Sequence, residues 1–279
     1  MRLLIFIFLT PFMLNAQSRK TKSSYAKGTF FGSIGYDLNA YGKSKVNFSG
    51  PGYEFDLEGV KGKAENGIDF SNLGLLQYKG QFGYMIANNW GLSLNYNRMN
   101  YRIPSGNQVL LTGTINPGVD PVTNLNGTYL NQPLTIDTAT FSYSNKAVSF
   151  YHLDVCRVDT WIGGRSSDKF ALSSVFSFGA GAVSSKNDFT FGGKSDVATS
   201  SISGFGLTAG LGFRFEFFDY FFIQPTFGGG YIQQLDVNTR INEPNALAKQ
   251  KYTFANANLS IGFLLYLRPT NSCDSCPHW

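Results

Sequence analysis

His152 and Asp154 stand two residues apart in the run SFYHLDVCRV, so in an extended chain their side chains leave the same face. An imidazole beside a carboxylate is the base-and-orienter half of a hydrolytic triad, and Ser149 is a hydroxyl close by in sequence. Ser149 has the opposite parity, however, and a triad needs all three groups within hydrogen-bond reach. With two histidines in the chain and no nucleophile motif, the sequence points to a non-enzymatic protein in which His152 is a satisfied interior group. A lipid-acting enzyme built on His152 is the competing expectation.

Four charged residues, Lys79, Asp154, Arg214 and Glu216, fall on strand faces otherwise made of Gly, Ser, Thr and Asn. Inward-facing charges are tolerated when they pair and gain hydrogen bonds. The expectation is that these four pair with one another. They would then form a polar plug that fixes the interior, or a gate that opens when the pairs break. The tail NSCDSCPHW carries Cys273 and Cys276 at C-x-x-C spacing, followed by His278. That spacing suits a local disulfide in an oxidising compartment, or half of a metal site. Pro277 stands where a haem-attachment histidine would be needed. The disulfide is expected, with Cys156 unpaired, and neither a metal nor a cofactor is called for.

The element that organises these residues is the stretch Phe205 to Gln233. Its first arm alternates Phe205, Leu207, Ala209, Leu211, Phe213 and Phe215 with Gly206, Thr208, Gly210, Gly212, Arg214 and Glu216. Period-two alternation marks a strand whose faces see different surroundings. A turn at Asp219-Tyr220, flanked by Phe217, Phe218, Phe221 and Phe222, completes a hairpin with an aromatic belt at its end. An apolar face, a small or polar face and an aromatic girdle form the pattern of a transmembrane barrel wall. Soluble sheets carry Lys, Glu and Thr on their wet face, whereas this one carries Gly, Ser, Thr and Asn with few charges.

The same alternation recurs along the chain. Residues 1–16 read as a signal peptide, with Arg2 before an apolar run from Leu3 to Leu14 and Ala16 at the expected cut. Residues 17–27 form a polar, basic lead-in, 28–268 the barrel, and 269–279 a tail. Eight strands are expected, with short connections after the second, fourth and sixth and longer ones between. That rhythm predicts an all-β, eight-stranded, antiparallel up-and-down transmembrane β-barrel with long outer loops and both termini in the periplasm. The long loops are Tyr41–Leu76 and Pro104–Ala147, the first with strand character in KVNF and YEFDLEGVKGK. The formal charge of +5 is scattered apart from Arg19–Lys27, which argues against nucleic acid.

The stretches KSKVNFSGPGYEFDLEGVK, GYMIANNWGLSLNYNRMNY and DYFFIQPTFGGGYI resemble small outer-membrane β-barrel proteins of Gram-negative bacteria, of a flavobacterial kind. The resemblance implies an integral outer-membrane protein and carries no defined activity or functional residues. Its expected partners are outer-membrane lipid and, during biogenesis, the barrel-insertion machinery. An extracellular ligand is unspecified. The resulting expectation is a structural or interaction barrel acting through its outer loops. A narrow channel for ions or small apolar molecules is the alternative, since an eight-stranded interior is nearly filled by side chains.

Overall fold

The computed structural model describes residues 25–64, 77–163 and 169–266. Twelve antiparallel strands form a single sheet. They are β1 (Thr29–Tyr41), β2 (Lys43–Gly50), β3 (Tyr53–Lys61), β4 (Tyr78–Ala87), β5 (Trp90–Arg102) and β6 (Gln108–Ile115). The others are β7 (Gly127–Thr135), β8 (Ser142–Ile162), β9 (Phe170–Phe191), β10 (Lys194–Phe217), β11 (Phe221–Asn238) and β12 (Leu247–Tyr266). Eight of them run in the order β1-β4-β5-β8-β9-β10-β11-β12, and pairing of β1 with β12 from Thr29↔Tyr266 to Tyr41↔Phe254 closes the ring. The expected eight-stranded barrel is present, with the expected face parity on each strand.

The lower wall is apolar outside, and its interior is small or polar above an apolar layer at the end. On β12, Leu259, Ile261, Phe263 and Leu265 are exposed, while Asn258, Ser260 and Leu264 are buried. Aromatic pairs mark both rims: Phe170 with Phe217 and Tyr220 with Tyr266 at one end, Tyr78 with Tyr96 and Tyr96 with Tyr151 toward the other. Three short connections lie at the first end. Asn89 (φ 68°) turns β4 into β5, and Phe218 (φ 54°) and Asp219 (φ 66°) together turn β10 into β11. Two consecutive positive φ values suit the twist of a tight hairpin. The reversal is a three-residue loop, Phe218 to Tyr220, between the paired Phe217 and Phe221, and it contains the expected Asp219-Tyr220.

Higher up, the alternation keeps its period but changes sign. On β9 the outward residues pass from Phe176 and Phe178 to Lys186, Asp188 and Thr190, and the inward ones from Ser177 and Gly179 to Val183, Phe189 and Phe191. Strands with water outside need an apolar filling inside. The segment from Ser184 to Ser203, where one of the longer connections was expected, is consequently mostly strand, interrupted by a turn at Gly192 and Gly193 and a register shift between Ser200 and Gly204. The long loops also supply strands: β2 and β3 confirm the strand character of the first, and β6 and β7 lie in the second. These four extend from the upper part of β12 in the order β12-β2-β3-β6-β7. Their inner face buries Phe48, Phe55, Leu57, Leu111 and Ile115 against Phe141, Phe189 and Phe191.

Below this cap, Tyr101 packs against the rings of Tyr41 and Tyr252 at 5.1 Å each, above the lipid-facing run of β5. Burial pushes its phenol up to about 12, against hydrogen bonds with Ser44 and Gln250 that pull it down. An unfolded phenol ionises near pH 10, so the stability held below about pH 10 is lost as the pH climbs towards 12. A phenolate-absorbance titration will show a late-ionising class among the 15 tyrosines, with the upper sheet unfolding alongside it. Ionisation of every tyrosine near pH 10 in a folded protein would contradict this packing. The closed ring makes a separate prediction: the purified protein will migrate faster in SDS gels before boiling than after.

Candidate functional site

The interior is organised in three layers. At the end with short turns, β10 points Arg214 and Glu216 inward, where they are 1% and 2% exposed. Arg214 donates from Nε to Gln224 Oε1 at 2.6 Å, and its guanidinium lies over Phe222, Phe31 and Tyr25 at 4.1, 5.2 and 5.3 Å. Glu216 accepts hydrogen bonds from the Tyr25 hydroxyl and, at 3.1 Å, from Ser173 Oγ. No ion pair within 4 Å joins Arg214 to Glu216 among the described residues. Tyr25 links them instead, with its ring against the cation and its hydroxyl on the carboxylate. Met85, Cys156, Val158, Val175 and Leu264 complete this apolar layer.

The middle layer is polar. His152 Nδ1 and Asp154 Oδ1 are 2.5 Å apart, His152 Nε2 meets Asn97 Oδ1 at 3.1 Å, and the Phe150 ring stacks on the imidazole at 4.4 Å. Ser149 faces outward and shares a 3.1 Å hydrogen bond with the Tyr96 hydroxyl. The triad geometry is therefore not assembled, and both ring nitrogens of His152 are already engaged. Asp37 on β1 accepts from Asn258 Nδ2 at 2.9 Å, and Lys79 lies within electrostatic reach of it. Among the described residues, no group of three His, Cys, Asp or Glu side chains is arranged to hold a metal.

Glycine sets how tightly the layers close. A Cβ at Gly179 would fall 1.8 Å from Asp154 Oδ1, and one at Gly212 would fall 2.7 Å from Thr226 Oγ1. Above the polar layer, Phe150, Val183, Ile232 and Phe254 begin the aromatic filling that continues into the upper sheet.

Lys79, Asp154, Arg214 and Glu216 thus all belong to inward faces, but they do not pair with one another as expected. Arg214 is held by Gln224 and aromatic faces, Glu216 by Tyr25 and Ser173, and Asp154 by His152. Register separates Lys79, Asp154 and the β10 pair, which sit on three different strands and at different heights, while Arg214 and Glu216 are drawn to other partners, Gln224 and Phe222 for the cation and Tyr25 and Ser173 for the carboxylate. Asp37 was legible from parity on the first strand. Tyr25 was not, because it lies in a segment whose composition is polar and basic, yet Tyr25 itself is fully buried. Cys273, Cys276 and His278 lie outside the described residues.

A closed barrel with an apolar band and aromatic rims is the form that crosses an outer membrane. The chain has the fold of an outer-membrane-type β-barrel. No protein-family model and no curated relative matches its sequence. Among solved structures it is similar to Ail of Yersinia pestis, at 13% identity over 86% of this chain and 99% of that one, with a TM-score of 0.34 for the complex with the heparin analogue sucrose octasulfate. It is also similar to the outer membrane protein OprG of Pseudomonas aeruginosa (14% identity, 88% and 100% covered, TM-score 0.35). The outer membrane protease OmpT of Escherichia coli is a further match (6% identity, 89% and 99% covered, TM-score 0.28).

The lower layer makes a quantitative prediction. Tyr25→Phe removes a buried donor from Glu216, at a cost of about 1–3 kcal/mol. Urea unfolding of the refolded protein in lipid vesicles will show the midpoint falling for Tyr25→Phe and unchanged for the exposed control Tyr220→Phe. Equal midpoints for wild type and Tyr25→Phe would remove Tyr25 from the plug.

Proposed function

We propose that the protein is a closed, non-conducting outer-membrane barrel whose working surface is the sheet built from β2, β3, β6 and β7. The single observation that carries this reading is the filled interior: a buried apolar layer at each end of the lumen, with hydrogen-bonded polar side chains between them. In this reading Lys79, Asp154, Arg214 and Glu216 belong to a fixed plug, together with Asp37, His152 and Tyr25. The protein has no catalytic role, consistent with a histidine engaged at both nitrogens and a serine on the opposite face.

The upper sheet supports an interaction role because its inner face is packed with aromatics, which holds the outward side chains in a defined array. The export signal in residues 1–16, periplasmic termini and the flavobacterial affinity belong to the same proposal. So do membrane lipid and the insertion machinery as partners, and a Cys273–Cys276 disulfide in the tail. Short turns at one rim and the built-up sheet at the other support that orientation.

The alternative is a narrow channel gated by the same polar residues. Planar bilayers containing the refolded protein distinguish the two. A filled lumen predicts no discrete conductance steps above the lipid background across the accessible voltage range. Reproducible unitary steps from wild-type protein would refute the closed reading and support the gate.

A further inference from the structure

The upper outer face carries a cluster of cations in an unfavourable arrangement. Lys251 on β12 stands directly opposite Lys45 on β2, and Lys43 on β2 directly opposite Lys61 on β3. Like charges directly opposed across a ladder destabilise it. Lys45 is answered by Asp56 at 2.9 Å and Glu58 at 2.6 Å. Lys43, Lys61 and Lys251 have no ion pair among the described residues. The opposition of Lys43 and Lys61 is created by a bulge. Gly59 (φ 79°) is skipped in the ladder between Ser44↔Val60 and Lys45↔Glu58. That extra residue sends Val60 into the core and turns Lys61 outward, as a bulge re-aims the side chains beyond it.

Lys43 and Lys61 border an open groove of about 620 Å³ whose other lining includes Glu58, Leu110, Pro133 and Leu134. It is cationic at one side and apolar at the other. Its height relative to the lipid band follows from strand geometry. A strand tilted about 40° climbs roughly 2.6 Å per residue, so the stretch of β12 from Leu265 to Ala255 spans about the 25 Å of an apolar band. Lys251 and its cross-strand partner Lys45 then stand about 10 Å above that band, at the level of lipid headgroups, and Lys43, two residues from Lys45 on β2, lies at the edge of the groove.

We propose that this groove binds the phosphate-bearing headgroup of an anionic outer-leaflet lipid, with Lys43 and Lys61 on either side of the phosphate and Leu110, Pro133 and Leu134 against the adjoining hydrocarbon. The pairing of charge with an apolar lip at headgroup height is what favours a lipid over a soluble polyanion. The inference rests on the membrane placement proposed above.

The test uses the refolded full chain in phosphatidylcholine nanodiscs, with fluorescent bis-phosphorylated lipid A as the probe. Wild type should enrich the probe, and Lys43→Gln/Lys61→Gln should weaken that enrichment roughly tenfold, as expected when two cations leave an anionic headgroup. Lys186→Gln, exposed on β9, should leave it unchanged. The single variant Lys61→Gln, expected to show a smaller loss, serves if the double variant lacks the fast-migrating folded band. Equal enrichment by wild type and a folded variant of Lys43 and Lys61, or of Lys61 alone, would overturn the proposal, as would equal enrichment of a dephosphorylated probe. Displacement of the probe by millimolar inorganic phosphate, or tighter binding of an RNA oligomer or an acidic peptide, would also overturn it. Failure of wild type to enter nanodiscs at all would instead refute the membrane placement.

Discussion

The structure depends on one constraint: the medium outside the sheet changes along the barrel axis while the period of the strands does not. Where lipid surrounds the wall, the exposed residues must be apolar and the interior can be polar. Where water surrounds it, the outward residues are Lys, Asp, Ser and Thr, and the interior must supply the apolar contacts. Strands β9 and β10 pass through both regimes, paired without a break from Phe170 to Val183 and again, beyond the register shift, from Ser185 to Phe191. The upper half is therefore a water-soluble β-structure continuous with a membrane-spanning one. Strands β2, β3, β6 and β7 exist because that upper core needs a wall on the side where the barrel strands end.

The same constraint shapes the lumen. Eight strands leave space for side chains rather than for a pathway, and the two ends are filled by different means. The upper end uses ring-on-ring packing, with Phe48 stacked on Phe189 at 5.2 Å and edge-on to Tyr143 at 5.1 Å. The lower end must also accommodate a buried cation and a buried carboxylate. Arg214 is spread over three aromatic faces, and Tyr25 from the N-terminal segment reaches the carboxylate of Glu216. Contact of the guanidinium with aromatic faces compensates in part for its missing water. A residue from outside the barrel wall is thus part of what closes the barrel.

Much of the lower half was legible in the sequence because lipid-facing and lumen-facing residues differ sharply there, as in Phe205 to Glu216. The eight-strand ring, its facing and the inward placement of Lys79, Asp154, Arg214 and Glu216 followed from that contrast. The upper half was not legible in the same way. From Ser184 to Ser203 the outward face is mostly polar, apart from Val197 and Ile202, and the inward face mixes Asn187 and Ser185 with Phe189 and Phe191, so the run resembles a loop unless the inversion of the pattern is anticipated. Partner choice inside the lumen was also hidden. Parity places a side chain on a face, but which strand it meets depends on register and stagger, and these set His152 against Asn97 and Arg214 against Gln224.

The most direct measurement of the closed lumen is the reactivity of Cys156, which is buried in the lower layer at 2% exposure. With Cys273 and Cys276 replaced by serine, a water-soluble maleimide added from both sides of the membrane reports on that site alone. The account predicts no labelling of the folded barrel over hours and complete labelling after thermal unfolding. Labelling of the folded protein at the rate of an exposed thiol would mean that water and solutes reach the lower layer, and that the barrel is not closed.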